Sequence, residues 1–508
     1  MKPQKIYIIY FLITVLVLFL SHHFYYIKWL GYERIPDTTI FDERNYPFVG
    51  DTFRKTGIPT GWTNMDVYKI LDDQKTHNKG FNGVSITVNN QNPTLKNISD
   101  FNYPVTFVTD VDIGKGKETI RLVQPFFDHP IFGSFLFSLG IKSDVSSFDS
   151  LKPAEYRQIA LYLSLITGVL IFIFGFLLYK NLIVSFLSLI IYSTVTTFVL
   201  MSRFALFENI LIPFSLLIFS LIILFIQNKN KKLSPLLLLT AGIFSGLAFI
   251  TKESAIFIIL AVLVFLFKEK IPFKKYLYFL IPFIIISSLY YGYMYYLAPD
   301  LFFKLLFDQA NRGFYGPLGF LSSVIGPNFK NFPKEGYWIF GLISLFTICY
   351  KNTKKHFYII TVFTSYLFVF LFLGGSNYPW YSLPFMPFLI IASGYFLYKL
   401  LTEPSLISLA IFYILPFLSS FYWGYFTYKT NNNNYSIFRF SLLFFILLYI
   451  TEKYLTINIK IFNKQFKLGY IIWIISLLLV FWQMNKWNLQ GFQYIIANWG
   501  KLPEIFTF

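Results

Sequence analysis

The sequence predicts an all-α polytopic membrane protein, a bundle of about thirteen transmembrane helices with a small mixed α/β insert in the first extracytoplasmic loop. Two observations carry this. The 508 residues are 56% hydrophobic and 22% aromatic but only 13% charged, against about 25% charged in soluble domains. The apolar residues also come in long blocks, and most of the polar information gathers in one segment, 21–157.

The net charge of +18 points away from nucleic acid once it is located. Residues 21–157 hold 15 Lys and Arg against 16 Asp and Glu, so the whole excess lies in the membrane-embedded remainder, 28 against 9. A nucleic-acid binder gathers basic residues on a polar face. Cys349 is the single cysteine, which excludes an intramolecular disulfide and any cysteine-based metal cluster.

Taken in order, apolar runs near the ~20 residues that span a bilayer occur at about 6–20, 158–179, 181–200, 206–227, 236–250, 254–267, 276–297, 336–350, 357–373, 381–398, 404–426, 437–450 and 469–483. The first follows Lys2 and Lys5 but leads into Ser21-His22-His23-Phe24, with no small-residue cleavage site, and is read as an uncleaved anchor. Short segments placed inside by a cytoplasmic N-terminus hold 18 basic residues, and the short segments left outside hold 9, as the positive-inside rule requires. The chain then divides into a first helix (1–20), an extracytoplasmic loop (21–157), a transmembrane core (158–400) and C-terminal helices with a short outer tail (401–508). Within the loop, 63–76 reads as an amphipathic helix, while Gly83 to Val88 and Val105 to Val111 read as short strands. No internal repeat of the transporter kind is visible.

The candidate chemistry lies at outer helix ends. Asp42 and Glu43 follow the first helix, where partial desolvation raises carboxylate basicity and suits a general base; they also read as a solvated acidic pair neutralised by Arg44. His129, between Asp128 and Pro130, could orient a substrate or a ligating carboxylate, and Asp128 could instead cap the helix that follows. Arg203 and Lys252 stand at the ends of apolar helices, where ionisable groups are costly and their sign suits a lipid phosphate. Snorkelling, or local pairing of Arg203 with Glu208 and Lys252 with Glu253, accounts for them equally. The outer loop 298–335 begins as an interfacial helix and continues through Arg312-Gly313-Phe314-Tyr315-Gly316-Pro317 as a lid, suited to a lipid substrate that enters sideways. Trp380 and Tyr381, in a segment that runs from Gly374 to Pro387, could line the same cavity, although Trp380 alone reads as part of an aromatic belt.

Asp42-Glu43, His129-Pro130, Ser202-Arg203, Gly246 to Lys252, and Trp380-Tyr381 to Pro387 together resemble the GT-C superfamily of membrane glycosyltransferases. Within it, the resemblance is to the group of dolichyl-phosphate-mannose protein mannosyltransferases and lipid A aminoarabinose transferases, and it spans about residues 1–400. It implies a GT-C-like bundle in which Asp42 is the catalytic carboxylate and Glu43 its partner, and in which Arg203 and Lys252 face the carrier phosphate. His129, Arg312 and Tyr381 complete the expected substrate-binding set. The sequence departs from the family pattern where His129-Pro130-Ile131-Phe132 replaces His-Pro-Pro-Leu and where Glu208 stands in place of an aspartate.

The expected reaction is inverting transfer of a sugar from undecaprenyl- or dolichyl-phosphate to a hydroxyl of a glycan, lipid or protein acceptor, outside the plasma membrane and among its lipids. No cofactor is required, although a divalent metal could be held by Glu43 and His129. The rival readings are a transporter and a glycan polymerase or ligase. A transporter calls for ionisable groups near mid-membrane, and a polymerase or ligase would not need Asp42-Glu43. The expected topology has a direct test: a cysteine at Asn97 reacts with a membrane-impermeant maleimide in intact cells and one at Asn230 does not. The opposite pattern would put the candidate residues on the wrong side of the membrane.

Overall fold

Inside a bilayer a backbone must satisfy its own polar groups, so apolar runs of this length close as helices. The computed structural model describes residues 41–63, 65, 68, 86–88, 105–112, 117–194, 201–310, 336–350, 354–373, 379–403, 434–455, 457–461, 464–476 and 479. The fold is mostly helical. In chain order come α1 (Phe41–Thr56), β1 (Gly61–Trp62), β2 (Ile86–Val88), β3 (Val105–Asp112), β4 (Lys117–Gln124) and α2 (Ile131–Ser138). Next are α3 (Pro153–Tyr179), α4 (Leu182–Thr194), α5 (Glu208–Gln227), α6 (Ser234–Phe249), α7 (Ile256–Lys268), α8 (Phe273–Leu297) and α9 (Pro299–Ala310). The chain continues with α10 (Gly336–Tyr350), α11 (Lys354–Leu373), a 3-10 turn (Pro379–Phe385), α12 (Met386–Thr402), α13 (Asn434–Tyr454), and the hairpin β5 (Asn458–Ile461) and β6 (Lys464–Lys467).

Among the described residues, four helical stretches are long and apolar enough to cross a membrane: Pro153–Tyr179, Glu208–Gln227, Phe273–Leu297 and Leu383–Thr402. Leu182–Ser193, Ser234–Phe249 and His356–Phe372 are shorter apolar helices. The expected spans at 6–20 and 404–426 lie outside the described residues, as do the lid with Arg312 and most of the helix expected at 63–76. The two expected strands form as β2 and β3. They join β4 and β1 in a four-stranded sheet ordered β1-β4-β3-β2, in which β2–β3 is parallel and the other pairs are antiparallel.

Helix α5 is the centre of the bundle. It packs on α3 on one side and α6 on another, and it meets the 3-10 turn Pro379–Phe385. α8 packs along α6 and leaves Ile281, Ile284, Ile285 and Leu289 on its open side, as a lipid-facing helix should. Helix α1 is a different kind of element. Gly57 ends it with φ +77 and donates its N–H to Phe53 O, a left-handed stop that glycine adopts without steric cost. Arg54 and Lys55 in the last turn complement the helix dipole.

Close crossings depend on small residues, which let backbones approach. A Cβ on Gly50 of α1 would lie 1.9 Å from Ser134 O of α2, and one on Gly242 of α6 would lie 2.2 Å from Phe279 O of α8. Both obstacles are backbone atoms, so neither can swing aside. A Cβ on Gly292 of α8 meets nothing within 4 Å. Gly50→Ala is therefore expected to destabilise the purified protein by about 1–3 kcal/mol through overpacking, while Gly292→Ala leaves its thermal unfolding unchanged or slightly later. Equal midpoints for the two variants would contradict the α1–α2 crossing.

Candidate active site

The chain alternates direction from α3 through α8, which brings the start of α3, the start of α5, the end of α6 and the end of α8 to one end of the bundle. The Lys-rich connections carrying Lys229, Lys231, Lys232, Lys270 and Lys274 lie at the other end. Helices α1 and α2 pack against each other, and α2 packs on α3; the Phe132 N–H donates to Ile250 O at the end of α6, 3.1 Å away. The four motifs around residues 42, 129, 203 and 252 therefore meet at that end.

The strongest contact there is a fork. Arg157, one turn into α3, donates from Nε to Glu43 Oε1 at 2.8 Å and from Nη2 to Glu43 Oε2 at 2.7 Å. Both side chains are fully buried. The Ala205 N–H donates to the same Oε1 at 3.0 Å, and the guanidinium carbon of Arg157 stands 5.4 Å from the centre of the Phe204 ring. Planar bidentate geometry of this kind is what makes arginine and carboxylate a strong pair. It ties three separate segments together: the first turn of α1, the start of α3 and the 201–207 connection. Asp42 lies on the same turn of α1 as Glu43.

Glu43 is not solvated, as the solvated-pair reading required, but buried in the fork with Arg157, and Arg44 donates to Asp149 Oδ1 at 3.0 Å. Arg203 is buried beside the fork. Burial first, then the charge of Arg157, pushes its pKa down, and Glu43 opposes the shift. A guanidinium in that position is attracted to any further anion that enters.

Five residues on, Glu208 begins α5 and is buried. It pairs with Lys252 at the end of α6, a bridge between helices that expectations of local pairing missed. The Lys252 Nζ also stands 3.9 Å from the centre of the Tyr381 ring, close enough for a cation–π contact. The Tyr381 backbone carbonyl accepts the hydroxyl of Tyr366. Snorkelling does not describe Lys252, which is 8% exposed, and Trp380 is buried in the bundle instead of forming a boundary belt.

His129 is partly exposed. Its ring stands edge-on to Tyr46 at 5.7 Å and to Phe207 at 5.5 Å, and those two rings stack on each other at 3.8 Å. Its carbonyl accepts the Tyr290 hydroxyl from α8 at 3.3 Å. Asp128 does not cap α2, whose N-cap position is Pro130. It accepts the Thr63 hydroxyl and lies near Tyr68, whose phenol is pushed well above its ordinary pKa by burial and then by the Asp128 charge.

Among the described residues, no group of three His, Cys, Asp or Glu side chains comes together as a metal site. Glu43 does not fit a metal-ligand role, because Arg157 and Ala205 already occupy its oxygens. Sequence reasoning missed Arg157 altogether. The signal was present, since an arginine inside the first turn of a 27-residue apolar helix is the same kind of anomaly that singled out Arg203 and Lys252.

The family model for dolichyl-phosphate-mannose-protein mannosyltransferase matches residues 128–315, a stretch that takes in His129, Arg203, Lys252 and Arg312. The crystal structure of ArnT from Cupriavidus metallidurans bound to undecaprenyl phosphate matches with a TM-score of 0.55 at 13% identity, over 96% of this chain and 76% of that one. The apo oligosaccharyltransferase of Archaeoglobus fulgidus gives 0.45 at 11% identity, over 94% and 56%. No curated protein matches by sequence. The fold resembles that of ArnT, and the expected resemblance to the dolichyl-phosphate-mannose protein mannosyltransferases is matched over residues 128–315.

The buried fork has a measurable consequence. Removing one partner of a buried ion pair costs about 3–5 kcal/mol because the other charge is stranded. Glu43→Gln and Arg157→Met are each expected to lower unfolding stability by that order, and the double variant by clearly less than the sum. Strictly additive losses in detergent unfolding would show that the two side chains do not depend on each other.

Proposed function

We propose that the protein is an inverting glycosyltransferase of the cell membrane, with its N-terminus cytoplasmic, moving a sugar from a polyprenyl-phosphate donor to a hydroxyl acceptor at the extracytoplasmic face. The observation that carries the reading is the Glu43–Arg157–Ala205 junction, which anchors the turn bearing Asp42 beside the basic segment of Arg203 and Lys252.

In this reading the acceptor hydroxyl attacks the anomeric carbon as Asp42 takes its proton, and the carbon–oxygen bond to the phosphate breaks. Arg203 and Lys252 stabilise the charge that grows on the leaving phosphate, an electrostatic effect that is large in a dry site. Glu43 acts as a positioning residue, since its carboxylate is committed to Arg157. His129, edge-on against the stacked rings of Tyr46 and Phe207, presents a polar ring edge to the substrate, and Tyr381 limits where the Lys252 ammonium can go. Arg312 is kept as a further donor contact. The polyprenyl donor is supported by the family match over residues 128–315; the sugar and the acceptor, whether glycan, lipid or protein, are left open. A transporter would call for ionisable groups in the middle of its helices, whereas those of α3, α5 and α8 stand only in their end turns.

Asp42→Asn is expected to reduce transfer by about 10²–10⁴-fold, the range a general base supplies, with expression and unfolding temperature retained. Transfer at close to the wild-type rate by the purified variant would remove Asp42 from the mechanism.

A further inference from the structure

Glu208 has no part in the reaction as drawn, yet it is buried and holds the cation that would meet the donor phosphate. We infer that Glu208 is a counter-ion that makes the site select the donor over the lipid phosphate it releases, and so drives product out. This rests on the reading that Lys252 faces the donor phosphate.

The charge balance of the transfer gives the reason. The donor is a phosphodiester with one negative charge. When the sugar–oxygen bond breaks, its electron pair stays on the phosphate oxygen and the acceptor proton goes to the base. The product is a phosphate monoester whose second ionisation lies near pH 6, so at neutral pH it approaches two negative charges. A site of cations alone would bind that product more tightly than the donor and stall.

A fixed carboxylate beside the phosphate repels a dianion twice as strongly as a monoanion. Glu208 stands where a negative charge is favoured. It is the first residue of α5, where the helix dipole favours a negative charge, and its partner is the Lys252 ammonium. The Tyr381 ring on Lys252 and the Tyr366 hydroxyl on the Tyr381 carbonyl hold that ammonium near Glu208, so a phosphate reaching Lys252 also meets the carboxylate.

The test is equilibrium binding of undecaprenyl phosphate and of its methyl phosphodiester to the full chain in lipid nanodiscs at neutral pH. Wild type is expected to bind the two within about threefold of each other. In Glu208→Gln, a gain of about threefold for the diester should become about tenfold for the monoester, because the effect scales with charge. Lys252→Ala should weaken both. If Lys252→Ala changes neither, Lys252 does not face the phosphate and the proposed donor site falls. If Lys252→Ala weakens both but Glu208→Gln shifts them equally or not at all, the donor site stands and the counter-ion role is overturned. Should Glu208→Gln fail to fold, wild type still decides: a monoester bound more than about tenfold tighter than the diester would overturn the proposal.

Discussion

Everything at the site end of the bundle depends on one buried ion pair, Glu43 with Arg157. A carboxylate and a guanidinium cannot leave water without strong compensation, and here each is satisfied by the other, with a backbone N–H in addition. The compensation works only if α1, α3 and the 201–207 connection keep their relative positions. The pair is thus less a source of net stability than a constraint on geometry, one that holds the turn carrying Asp42 in place.

A second polar junction, Lys252 with Glu208, lies a few residues along the same connection. Between the two, Phe204 and Phe207 supply aromatic surface to Arg157 on one side and to Tyr46 and His129 on the other. Six consecutive positions, Arg203 to Glu208, thus touch most of the groups assigned to the site. The fold presents this segment at the start of α5, a largely buried helix.

The architecture was legible because burial in lipid leaves a plain record. Runs at 158–179, 206–227 and 276–297 appear as α3, α5 and α8 with ends within a few residues, and the β-branched stretches 83–88 and 105–111 coincide with β2 and β3 to within a few residues. β4 was missed because Lys117 to Gln124 mixes charged and apolar residues, and β1 because two residues carry no period. The site was legible as a set of positions but not as a set of partners. Sequence neighbours suggested Lys252 with Glu253 and Arg44 with the acidic pair, and could not show that crossing helices also bring Glu208 to Lys252 and Asp149 to Arg44. Arg157 escaped notice because it precedes its apolar run by a single residue and so reads as a flank.

The two halves of the Glu43–Arg157 fork are 114 residues apart in the chain, with the sheet-bearing insert between them. During synthesis Glu43 leaves the ribosome long before Arg157 exists, and Arg157 follows only after the whole intervening segment has been made. Until then each charge must stay in contact with water or headgroups, which the long arginine side chain at a helix end allows. Sealing of the fork is therefore a late event in biogenesis, one that waits for both α1 and α3. The turn that bears Asp42 cannot take up its final place until both have arrived.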